Sequence, residues 1–164
     1  MESALEWILT NSCKADMISY LADHPEEFKE TIELALADKQ PYSWRAAWLL
    51  WSCMEDNDPR VRKYIAGLIS TLPAKPDNMK KDIFTILLRM EIDEEYEGIL
   101  FDHCVSTWED LGKKPAVRAN AMKIMMRKAS CSFACFTLTA GSGFLGDPCW
   151  RLRLTRRITS GLPG

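Results

Sequence analysis

A pentapeptide of this chain returns later in altered form, and its spacing restricts the fold more than any other feature. Trp44-Arg45-Ala46-Ala47-Trp48 aligns with Val117-Arg118-Ala119-Asn120-Ala121 at an offset of 73 residues. Halving that offset lands on Lys80–Phe84, where Lys81 takes the arginine position and Phe84 that of Trp48. The segments between keep the same rhythm. Glu26-Glu27-Phe28 recurs as Glu94-Glu95-Tyr96, and Phe28, Val61 and Tyr96 stand 33 and then 35 residues apart. A period of about 36 residues holding two helices cannot bury its own apolar faces. Neighbouring units must stack until their faces form one continuous core. Arg45, Lys81 and Arg118 are thus expected at equivalent positions of successive units, with Trp44, Trp48 and Trp51 on the central helix.

The units read as helix pairs. At 100° per residue, Tyr96–Leu111 puts Tyr96, Leu100, Phe101, Cys104, Val105, Trp108 and Leu111 on one half of the wheel, opposite Asp102 and Glu109. Phe28, Ile32, Ala35 and Leu36 share a face, as do Val61, Ile65, Leu68, Ile69 and Leu72. In Met79–Met90, Ile83, Phe84, Ile86 and Leu87 oppose Asp82 and Arg89. These are amphipathic helices. Trp44–Met54 is apolar nearly all round and predicts a helix in the middle of the structure. Pro25, Pro41, Pro59 and Pro115 stand where helices can begin, since proline at a first helical position sacrifices no hydrogen bond and presets φ. The short turns between helices require antiparallel neighbours. No strand is expected within residues 14–129.

Asp58-Pro59-Arg60-Val61-Arg62 and Lys114-Pro115-Ala116-Val117-Arg118-Ala119-Asn120-Ala121 resemble the Pro/Asp…Val-Arg…Ala pattern of HEAT repeats. Gln40–Cys53 is similar to the matching helix of small bacterial HEAT-like proteins of unknown role. The resemblance covers roughly residues 14–129. It implies an all-α fold, an α-α superhelix of stacked antiparallel helix pairs. It also implies that Arg45 and Arg118 bond an acid at an inter-helix turn, for which Asp38 and Asp110 are in reach, or helix-end carbonyls. Lys81 fits this pattern less well, because its helix lacks the Val-Arg pair.

Charge divides the chain. Residues 1–129 hold 17 Lys+Arg against 22 Asp+Glu, and residues 130–164 hold 4 Arg against Asp147 alone. The acidic body disfavours general binding to nucleic acid. The final segment carries five of the eight glycines, three of the six cysteines, and neither Lys nor Glu. It is read as an irregular tail on a repeat domain of residues 1–129. Phe136–Thr139 and Leu152–Thr155 alternate weakly, as strands do. Low periodicity makes the tail the least ordered part in expectation, either an appended segment or the product of a shifted reading frame or truncated gene. Met1–Thr10 carries Glu2 and Glu6 and no basic residue, which is not a secretory pattern. The longest apolar run, Ala46–Trp51, is far short of the ~18 residues of a membrane span. The cytoplasm is the expected location, and the scattered cysteines read as buried thiols.

Candidate chemistry is sparse. His103 and Cys104 are neighbours on a helix and point about 100° apart, so they cannot form a thiol–imidazole dyad. His24 reads as a turn residue. Cys131, Cys135 and Cys149 offer three thiolates where zinc takes four ligands. Glu26, Glu27 and Asp93–Glu95 open helices, where acids suit the dipole. Trp44, Trp48 and Trp51 share a stripe about 60° wide. Packing predicts Trp48 buried and the other two largely so. The competing reading is a base-stacking platform resembling that of the HEAT-like DNA glycosylases, with Asp82 or Asp102 as the acid. That reading requires Arg60, Arg62, Lys63, Lys80, Lys81 and Lys123 to converge on one face around an exposed tryptophan. The expectation is therefore a non-catalytic scaffold for a protein or peptide, with no catalytic residue, metal or cofactor, and with the glycosylase-type repair protein as the alternative.

Overall fold

The structure, a computed structural model, describes the backbone of residues 3–139 and the side chains of residues 3–127. Nine α-helices and no strand lie among the described residues. In chain order they are α1 (Ala4–Asn11), α2 (Lys14–Asp23), α3 (Phe28–Leu36), α4 (Tyr42–Cys53), α5 (Pro59–Arg62), α6 (Ile65–Thr71), α7 (Asp77–Leu88), α8 (Glu94–Glu109) and α9 (Pro115–Thr139).

Local chemistry sets the helix ends. Ser3 and Glu6 form a capping box at α1, the Ser3 hydroxyl accepting from Glu6 N and Glu6 Oε2 accepting from Ser3 N. Asp58 caps α5 by accepting from Arg60 N, with Pro59 as the first helical residue. Pro115 opens α9, Pro41 precedes α4, and Pro25 opens the 3-10 turn that leads into α3. Asn57 turns the chain with φ 54°, a left-handed conformation that asparagine tolerates, and its backbone N–H donates to Arg89 O at 2.7 Å.

The helices of residues 1–126 form two layers. In one, α4 packs against α1, α2 and α7, and α9 joins α7 through Asn120, whose amide donates to Lys81 O and Thr85 Oγ1, each at 3.1 Å. In the other, α6 packs against α3 and α8. The pair α3 and α4 makes the most extensive contact between the layers. The core runs continuously through Leu5, Phe28, Ile32, Leu49, Leu50, Val61, Leu68, Ile83, Phe84, Leu100 and Val117. Most faces expected from periodicity are inward, with one partial failure. On α8, Leu100 and Cys104 are buried, whereas Trp108 is exposed and Leu111 is 80% exposed. These two occupy the end of the helix and the turn beyond it, outside the hydrophobic core.

Helix α9 corrects the reading of residues 130–139 alone, and the rest of the expected irregular tail lies outside the described residues. Ser130–Thr139 are helical, so Phe136–Thr139 are not a strand. No glycine or proline interrupts the chain between Pro115 and Gly141, and a helix already propagating extends until something stops it. The side chains of Cys131 and Cys135, together with Cys149 and Leu152–Thr155, lie outside the described residues. The three described cysteines are free, and only Cys104 is buried; Cys53 is half-buried and Cys13 exposed at the start of α2.

A tryptophan stripe with a buried aspartate

Helix α4 has two apolar faces. One carries Ser43, Ala46, Ala47, Leu49 and Leu50, all buried. The other carries Trp44, Trp48 and Trp51, all only half-buried. The expectation that Trp48 is buried is therefore overturned. Small side chains let α4 approach α3 and α7 closely, and the indoles, too large for that interface, are turned to its margin. Trp48 and Trp51 pack on the rim of the core and against each other, edge to face, with ring centres 6.1 Å apart. Cations lie over two of the indoles. Lys14 Nζ stands 4.8 Å from the Trp48 ring centre, and the Arg45 guanidinium 5.3 Å from that of Trp44.

Asp82 belongs to this stripe, although periodicity placed it on the solvent side of α7. It is 3% exposed, because the polar side of α7 faces α4. Trp51 Nε1 donates to its Oδ1 at 3.2 Å, and Lys81 Nζ lies 3.2 Å from the same oxygen. Burial pushes the Asp82 carboxyl above the ordinary carboxylate range, and the Lys81 ammonium and the indole N–H pull against it. Asp102 lies on α8, in the other layer.

The repeat arginines end on helix-end carbonyls. Arg45 Nη1 donates to Leu9 O, near the end of α1. Arg118 Nε donates to Trp108 O at 2.9 Å, near the end of α8, and its guanidinium lies over the Trp108 ring. The turn acids suggested for them are engaged elsewhere, Asp38 with Lys75 at 3.9 Å and Asp110 with Lys113 at 4.0 Å. Lys81 departs from the arginines and pairs with Asp82.

The cations that a nucleic-acid face would need do not converge on the tryptophans. Arg60 is fixed by both Asp58 oxygens and stacks 3.7 Å from the Phe28 ring centre. Arg62 reaches Glu91 and Asn57, and Lys63 lies over Tyr64. Lys80 lines a separate cavity, Lys123 is exposed on α9, and Lys81 alone of the six touches the stripe. The remaining candidates are engaged structurally. The Cys104 thiol is pushed up to about 12 by burial, and burial lowers the His103 imidazole. His24 stacks near Tyr20 and meets Glu26 at 3.3 Å, while Glu27 accepts the Tyr20 hydroxyl at 2.9 Å. No group of three or more metal-binding side chains occurs among the described residues, and no described helix is long and apolar enough to cross a membrane.

Sequence reading missed two features of this region, the partial exposure of Trp48 and the burial of Asp82. The capping signature Ser3-x-x-Glu6 at the start of α1 is legible in the sequence.

The model of a HEAT repeat domain family matches residues 1–133. No curated protein and no solved structure matches the chain. With paired helices in two layers, arginines on helix-end carbonyls and a match over most of its length, the chain belongs to the HEAT repeat domain family.

Proposed function

We propose that this repeat domain is a non-catalytic scaffold that holds a protein or peptide on the tryptophan stripe of α4. One observation carries the reading. Three indoles that keep part of their surface open form a single row on a helix whose opposite face is wholly buried. Tryptophan offers a large apolar contact at little rotamer cost, and such residues dominate binding energy where they are partly open. Lys14 and Arg45 beside the row add polar anchors for the partner's carboxylates or carbonyls. Within this proposal Arg45, Lys81 and Arg118 are equivalent repeat positions, and the shared helix-end bonding of the two arginines supports their part of it.

A DNA glycosylase-type reading has one specific observation in its favour, the Trp51–Asp82 contact with its raised carboxyl. The scattered cations count against it, and so does the depth of Asp82. Capture from the native host separates the two. Full-length protein should retain a partner protein that the Trp44→Ser/Trp48→Ser double variant loses at least tenfold. Equal retention by the variant contradicts the proposal. Release of methylated purines from duplex DNA by the wild type, lost in Asp82→Asn, would replace it with the enzyme.

A further inference from the structure

Two lysines five residues apart are both buried, and only one has a structural reason to be. Lys75 is 7% exposed and sits at the end of α3, donating to Leu36 O at 2.9 Å and Ala37 O at 2.7 Å. It satisfies carbonyls that the helix leaves open. Lys80 is 9% exposed, and its ammonium has no hydrogen-bond or ion-pair partner among the described residues. An unpaired buried charge is costly and persists only where something offsets it.

Lys80 opens into a cavity of about 340 Å³ between the turn after α6, the first half of α7 and the C-terminal half of α8. Leu72, Pro73 and Phe84 make its apolar wall. Thr107, 8% exposed and also without a side-chain bonding partner among the described residues, lines the same space, as does His103. At the mouth, Lys113 meets Asp77 at 3.3 Å and Asp110 at 4.0 Å, so its charge is already compensated. Asp77 and Asp110 also attract Lys80 from a distance, but burial and the Lys113 charge outweigh them, so Lys80 is the cation of this cavity without a contact partner.

We infer that this cavity binds a small organic carboxylate, its anionic group against Lys80 and Thr107 and a compact apolar body against Leu72, Pro73 and Phe84. One ammonium matches one carboxylate. A phosphate dianion would bring a second negative charge beside Asp110 with no free cation to meet it. The volume lies at the lower end of small-ligand sites, about 300–1,000 Å³. The same group occurs on a free small acid and on the C-terminus of a peptide ending in an apolar residue. The site is independent of the tryptophan stripe, so either proposal can fail alone.

The full chain is titrated with benzoate, N-acetylphenylalanine, benzamide and inorganic phosphate, following backbone amide shifts by NMR. At least one carboxylate should bind at least tenfold more tightly than benzamide and more tightly than phosphate, with shifts centred on residues 72–84 and 103–107. Preference for benzoate points to a free acid, and preference for N-acetylphenylalanine to a peptide terminus; each supports the inference. Lys80→Met should lose the binding at least tenfold without a lower Tm, since it removes a buried unpaired charge, and Lys80→Gln gives the same reading if the methionine variant folds poorly. No carboxylate binding with a Kd of about 1 mM or tighter, tighter binding of phosphate, equal binding of amide and acid, or undiminished binding by the Lys80 variants would each overturn it.

Discussion

The two apolar faces of α4 differ in what they do with their bulk. The Ala46/Ala47/Leu49/Leu50 face is made of small and medium side chains and is wholly buried. The Trp44/Trp48/Trp51 face carries the largest side chains of the helix and leaves part of each uncovered. Hydrophobic volume is therefore no guide to which face is the core. Close packing between neighbouring helices selects residues that fit the gap, and large aromatics are accommodated where one side is free. The open face also holds the polar features of the helix, the Trp51–Asp82 hydrogen bond and the two cation–ring contacts.

Stability should follow this division. Leu50→Ala empties a fully enclosed site and should cost about 2–5 kcal/mol, whereas Trp48→Ala, the larger truncation, should cost less than about 2 kcal/mol. Urea unfolding of the two variants makes the comparison. Equal or greater loss for Trp48 would return the stripe to the core and remove the basis for the proposed function.

A smaller and pH-dependent effect should mark the boundary between the faces. Trp51→Phe keeps an aromatic ring and removes one donor to Asp82, at a cost of about 1 kcal/mol near neutral pH. The Asp82 carboxyl lies above its unfolded value, so the folded state holds the proton more tightly and stability rises as pH falls through the folded pKa toward the ordinary carboxylate range. Loss of the indole donor raises that folded pKa further. The deficit of Trp51→Phe should therefore shrink on acidification, as both proteins acquire a protonated Asp82. Thermal melting between pH 5 and 8 checks this, and a deficit independent of pH would mean that the hydrogen bond does not stabilise the charged form.

The sequence displays the repeat and conceals the role of its faces, for a physical reason. Spacing reports which residues share a side of a helix, as it did for Ile32 and Ala35 or for Ile83 and Phe84. Where both sides are apolar, as on α4, the choice between them depends on the gap left by α3 and α7, which no local pattern encodes. Asp82 was assigned to solvent because helical polarity normally points outward, yet that side of α7 meets α4. The cavity of Lys80 is still less legible. Its walls come from residues 72–84, 103–110 and 113, and Lys80 reads locally as one more lysine in a polar first turn.

The central claim is that the α4 stripe is a docking face. It is tested most directly by the indole N–H resonances of the full chain, each tryptophan assigned by single Trp→Phe variants. On addition of the captured partner, the Trp44, Trp48 and Trp51 resonances should shift or broaden, while those of Trp7 and Trp108, which are more exposed but lie on α1 and α8, should stay in place. Movement confined to Trp7 or Trp108, with the α4 indoles unchanged, would contradict the account.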